Sequence, residues 1–137
     1  MTILIVENSL LVSSRIKNLL AETSTCNSIF QSVGHSKAPA LFEEIQTDVL
    51  LLDMYLPQNM SFRLLEKIKS APFVTTIVAL VNREDFEKQA KCREIGVNFI
   101  VDKYHDFEKI PGIIDFIAST KNQNNLDEQP AQHPELA

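Results

Sequence analysis

Two carboxylates and one lysine stand at the ends of three well-separated apolar runs. Glu7 follows Thr2–Val6, Asp53 follows Val49–Leu52, and Lys103 comes just after Val97–Val101. A pair of carboxylates offers the hard oxygen ligands that Mg2+ takes. A lysine beside them neutralises an incoming phosphoryl group as a compact charge. A carboxylate next to both can attack phosphorus and carry it as an acyl phosphate. That chemistry works only if the fold brings the three side chains to one place.

The apolar pattern supplies such a fold. Besides the three runs above, Ile77–Val81 is short and nearly unbroken, and Ser28–Val33 is a weaker run. Unbroken runs of this length suit strands covered on both faces of a parallel sheet. Helical spacing fills the intervals. Val12, Ile16, Leu19 and Leu20 make a first face, and Ala40, Leu41, Phe42 and Ile45 a rougher second. Leu64, Leu65 and Ile68 make a third, and Phe86, Ala90 and Ile95 a looser fourth. Ile110, Ile113, Ile114 and Ile117 form the cleanest stripe. Asn8 or Ser9 can cap the first helix, and Gly96 suits the end of the fourth. Five β-α units in succession predict right-handed crossovers and a doubly wound α/β sheet. In such sheets functional residues gather at the carboxyl ends of the strands, which is where Glu7, Asp53 and Lys103 fall.

Composition narrows the function. The 137 residues suffice for one domain with a real core, and 45% apolar with 23% charged is an ordinary globular profile. A net charge of −5 disfavours nucleic acid as a direct partner, since phosphate binding needs a basic face. No apolar run approaches the roughly 20 residues that span a bilayer, and no secretory signal is recognisable. Cys26 and Cys92 form no metal or redox spacing and are read as free thiols in a reducing cytoplasm. His35, His105 and His133 are scattered and suggest no metal cluster. From about Lys121 the chain turns polar, so residues 1–120 are read as the domain and residues 121–137 as a polar tail.

Taken together, Ile3-Leu4-Ile5-Val6-Glu7-Asn8, Val49-Leu50-Leu51-Leu52-Asp53-Met54-Tyr55-Leu56-Pro57 and Gly96-Val97-Asn98-Phe99-Ile100-Val101-Asp102-Lys103 resemble the receiver domain of two-component response regulators. The resemblance covers roughly residues 2–119. It implies a flavodoxin-like sheet in the order 2-1-3-4-5 with five helices. Asp53 then matches the phosphate-accepting aspartate and Lys103 the lysine that contacts the phosphate. Glu7 matches the first residue of the acidic pair. The Tyr55 backbone carbonyl falls at a metal-ligand position, so Glu7, Asn8, Asp53 and Tyr55 form the expected Mg2+ set. The resemblance also implies a histidine kinase or phosphotransfer protein upstream and a protein effector downstream. It makes the fourth helix, fifth strand and fifth helix the switching surface, and the fourth and fifth helices the face for homodimer formation.

The chain departs from that pattern in ways that bear on function. Asn8 stands where a second acid is usual, so the site keeps one negative charge fewer. One charge at ~4 Å is worth about 4 kcal/mol at an effective dielectric near 20, before desolvation offsets it. Mg2+ binding is therefore expected to be weaker by about a decade or more. Val81 replaces a Thr or Ser whose hydroxyl donates to the phosphoryl group, and Ile100 replaces a frequent switching aromatic. Tyr55 and Arg83 match variable positions that flank the phosphate, where a bulky Tyr55 is expected to exclude water.

The resulting expectation is a stand-alone, atypical receiver that accepts phosphate on Asp53 rather than acting as an enzyme. A pseudo-receiver, keeping the fold but not switching by phosphate, is the alternative. A flavin-binding protein of the same fold needs a Ser/Thr/Gly-rich phosphate loop after the first strand. Glu7-Asn8-Ser9-Leu10-Leu11-Val12 has no glycine and places a carboxylate there.

Overall fold

The computed structural model describes residues 1–23, 28–32 and 35–127, apart from the side chains of His35 and of residues 122–127. Cys26, Val33 and His133 lie outside the described residues. Five parallel strands, β1 (Thr2–Val6), β2 (Ser28–Ser32), β3 (Val49–Asp53), β4 (Thr76–Val81) and β5 (Phe99–Asp102), line up as β2-β1-β3-β4-β5. Five helices alternate with them: α1 (Leu10–Ala21), α2 (Ala38–Glu44), α3 (Met60–Ser70), α4 (Phe86–Ile95) and α5 (Ile110–Asp127). Short 3-10 turns lead into α2, α3 and α5. No helix among the described residues is long and apolar enough to cross a membrane.

The central strand shows why the runs are unbroken. Val49, Leu50, Leu51 and Leu52 are all fully buried, because both faces of β3 are covered. Successive residues feed opposite cores, as the two-residue period of a strand requires. Leu4, Leu50, Leu52, Ala79 and Val81 pack with Phe42, Leu64 and Leu65 under α2 and α3. Ile3, Ile5, Leu51, Val78 and Leu80 pack with Ile16, Ile110, Ile114 and Ile117 under α1 and α5. The edge strand β2 alternates between exposed and covered residues, which explains its weaker signal.

Helix ends follow the sequence cues. Ser9, not Asn8, caps α1: its Oγ accepts from the Val12 amide at 3.3 Å. Gly96 ends α4 at φ 98°. The fourth helix keeps only part of the expected face: Ile95 packs on the core, but Phe86 is 74% exposed and Ala90 is also exposed. Cys92, fully buried, is its anchor in the core. Phe86 opens the first turn of the helix with its side chain turned to solvent. The last helix continues to Asp127, past the point where the chain turns polar. Lys121 on that helix holds Asp48 at 2.7 Å, and Asp48 also accepts from the Thr2 amide at 2.8 Å. This pins α5 to the amino end of the sheet.

The glycines give a paired test. At Gly96 a Cβ would meet no atom within 4 Å, so any cost of Gly96→Ala is backbone strain in the left-handed region, about 1 kcal/mol. Gly112 sits exposed in α5 with equal room and no positive φ. Gly112→Ala should therefore stabilise by about 0.5 kcal/mol. Urea unfolding should show the two midpoints moving in opposite directions.

Candidate functional site

Strand register assembles the site. Val6 pairs with Leu52, so the next residues, Glu7 and Asp53, stand level on neighbouring strands. Leu80 pairs with both Asp53 and Val101, which leaves Lys103 two residues past Val101, just beyond the end of β5. Its long stem reaches back across the gap. The Lys103 Nζ lies 3.1 Å from Glu7 Oε1 and 3.1 Å from Asp53 Oδ2. Neither carboxylate side chain has any exposed surface, and the lysine is 8% exposed.

Backbone amides complete the pocket. Asp53 Oδ1 accepts from the Tyr55 amide at 2.9 Å, and Oδ2 accepts a longer bond from the Asn8 amide at 3.4 Å. Glu7 Oε1 also accepts from the Ser9 amide at 2.9 Å. Its other oxygen, Oε2, is buried without a hydrogen-bond partner among the described residues. Burial of Glu7 raises its pKa above the usual carboxylate value, with the Asp53 charge adding to the effect and the Ser9 amide and Lys103 opposing it. Burial alone pulls the Lys103 ammonium down, but the charges of Asp53 and Glu7 outweigh this and raise it.

The remaining expected residues take distinct places. The side chain of Asn8 is exposed and, since Ser9 does the capping, is free of that duty. Val81 is 1% exposed at the end of β4, its carbonyl accepting from the Lys103 amide at 3.0 Å. Ile100 is partly buried against the core on the α2 and α3 side. Arg83 turns to Asp102: its amide donates to Oδ2 at 2.6 Å and its Nε lies 3.6 Å from the same oxygen. His105 also faces Asp102, with Nδ1 2.8 Å from Oδ1. Among the described residues no three His, Cys, Asp or Glu gather as a metal cluster.

Three further participants shape the turns around the site. Ser61 Oγ donates to the Asp53 carbonyl at 2.7 Å and accepts from the Leu56 amide at 3.2 Å, fixing the turn after β3. Asp102 also takes the Tyr104 and His105 amides at 2.9 and 2.7 Å, so one carboxylate orders the turns after both β4 and β5. The Tyr55 hydroxyl accepts from the Asn82 amide at 3.0 Å and donates to Asp85 at 2.8 Å. A strand-end acid suggests the second of these; nothing in residue type or spacing suggests the other two.

The match to known proteins covers this whole arrangement. The sequence fits the response regulator receiver domain family over residues 3–115. The chain belongs to that family. No curated protein matches it. Its fold is similar to the signal receiver domain of a DNA binding response regulator from Colwellia psychrerythraea 34H, at 18% identity and TM-score 0.78 over 87% of this chain and 98% of that one. It is also similar to the response regulatory domain of mrkE from Klebsiella pneumoniae, at 15% identity and TM-score 0.77 over 90% and 99%. The Mn2+-bound form of the response regulator Rcp1 aligns at 22% identity and TM-score 0.71 over 84% and 92%. At such identities the likenesses speak for the receiver fold alone.

Glu7 gives this receiver a pH signature. A raised pKa means the ionised form is disfavoured by folding. The penalty is absent below the ordinary value of 4.5 and grows as pH rises. In buffer free of divalent cations, Glu7→Gln should match the wild type in urea midpoint near pH 4 and exceed it near pH 7.5. A midpoint lower than wild type at pH 7.5 would reverse the sign assigned here.

Proposed function

We propose that this receiver is a phospho-acceptor in which Asp53 takes a phosphoryl group from a histidine kinase or phosphotransfer protein in the cytoplasm. The observation that carries the reading is the single ammonium of Lys103 bridging Glu7 and Asp53 at 3.1 Å each. In the transfer, an Asp53 oxygen attacks phosphorus as the bond from phosphorus to the donor imidazole nitrogen breaks. The nitrogen keeps the electron pair and takes a proton from water. Lys103, already in contact with Asp53, balances charge on the phosphoryl oxygens. The amides of Asn8 and Tyr55 hold the carboxylate in place during attack. The domain then signals by protein contacts, with residues 121–137 following it as a polar extension.

The residues also fit a hard divalent cation. Glu7 Oε2 is an orphaned buried oxygen, and Asp53 lies level with Glu7 on the adjoining strand. Glu7, Asp53, the Tyr55 carbonyl and the neutral amide oxygen of Asn8 are the groups that would hold Mg2+. Bound there, Mg2+ supplies positive charge opposite the phosphoryl oxygens. This donor set is one carboxylate short of the usual complement. Asn8→Asp should therefore tighten Mg2+ binding about tenfold or more, read by isothermal titration.

Beryllofluoride, which mimics a phosphoryl group on a carboxylate, tests the acceptor role. With Mg2+ present it should shift the amide resonances of Asp53 and Tyr55, and Asp53→Asn should abolish the response. An unresponsive wild type at saturating Mg2+ would favour the pseudo-receiver reading, which draws support from Val81, an aliphatic residue where a phosphate-binding hydroxyl is expected.

A further inference from the structure

The turn that follows Asp53 is tied to the first turn of α4 by a set of contacts centred on Tyr55. The Tyr55 hydroxyl bonds the Asn82 amide at 3.0 Å and Asp85 Oδ2 at 2.8 Å. Asp85 uses its other oxygen to cap α4, accepting from the Lys88 amide at 3.1 Å. Lys88 reaches back in the opposite direction. Its Nζ sits 4.1 Å from the centre of the Tyr55 ring and donates to the Met54 carbonyl at 3.0 Å. Lys103 lies 5.7 Å from the same ring. Burial, with Asp85 close by, pushes the Tyr55 hydroxyl up to about 12, so it remains a donor at any physiological pH.

We propose that Tyr55, Asp85 and Lys88 form a latch through which occupancy of the Asp53 pocket moves the first turn of α4. This rests on the phospho-acceptor reading. The latch takes over the coupling that Val81 and Ile100 cannot perform, since neither carries a hydrogen-bonding side chain. Asp53 has no exposed surface, so a tetrahedral group added to its carboxylate must displace its neighbours. Tyr55, bonded to Asp53 through its own amide, is one of them. The added negative charge also competes with the Met54 carbonyl for the Lys88 ammonium. Lys88 is in the first turn of α4, so its departure releases that turn. Tyr55 and Lys88 are positioning residues here; the chemistry stays with Asp53 and Lys103.

Amide exchange by NMR tests the latch on the whole chain, with Mg2+ and beryllofluoride as the probe. In the wild type, binding should shift the Asp53 resonances and speed exchange of the Asn82 and Lys88 amides at least severalfold. Lys88→Met should keep the Asp53 shifts and lose the exchange response, and Lys88→Arg should restore it. Asp85→Ser keeps a helix cap but removes the oxygen that holds Tyr55, so its Asn82 amide should exchange faster before any addition. Shifts at Asp53 with unchanged exchange at Asn82 and Lys88, or a full response in Lys88→Met, would overturn the latch alone. No shift at Asp53 at saturating Mg2+ would overturn the phospho-acceptor reading and the coupling with it.

Discussion

The Lys103 ammonium is what allows two buried carboxylates to share one pocket. Glu7 and Asp53 lie level on neighbouring strands with no exposed surface. Without a cation between them, two like charges out of water would be strongly disfavoured, and one would take up a proton. The position of the ammonium is in turn set by backbone. The Lys103 amide donates to the Val81 carbonyl, and Asp102 organises the following turn through the Tyr104 and His105 amides. Sheet register, turn order and charge balance are therefore one constraint seen at three scales.

That constraint has a consequence for reactivity. A carboxylate sealed at zero exposure is well aligned but unreachable, so the groups that align Asp53 must also yield. The sheet cannot yield, because its strand ends are held by ladder pairing and by two packed cores. The turns after β3 and β4 can. They are held in good part by hydrogen bonds, from Ser61, Tyr55, Asp85 and Lys88, rather than by ladder pairing. Rigid strands thus place Asp53, and polar turns control access to it.

Much of this was legible in the sequence, for physical reasons that also mark where legibility ends. Buried parallel strands read as unbroken apolar runs, so β1, β3 and β4 emerge within one residue of their bounds. The charged residues that end them then point to the site, since a strand end is a fixed place in a doubly wound sheet. The face of α4 was legible only in part: Ile95 packs on the core, but Phe86 looks like core by type and is exposed, while Cys92 does the deepest packing. Ser61 and the Tyr55 hydroxyl contacts were not legible at all. They depend on turn geometry and side-chain rotamers, which residue types and spacing leave undetermined.

The weak burial of α4 explains why coupling would run through polar contacts. Among its residues Cys92 alone is fully withdrawn into the core, whereas α3 buries Leu64, Leu65 and Ile68. Each fully buried side chain of that size contributes about 1.5–3 kcal/mol, so α4 has far less holding it to the sheet than α3 does. Its amino end is positioned by the Asp85 cap, by Lys88 on the Met54 carbonyl, and by Gln89 Nε2 on the Asn82 and Arg83 carbonyls at 3.0 and 2.9 Å. Such bonds are worth about 1 kcal/mol net when neutral and about 1.5–3 kcal/mol when one partner is charged. A dianionic group arriving beside Lys103 brings electrostatic energy of at least that size. The element that is least anchored and most dependent on a lysine near the pocket is the one whose position such a group can change.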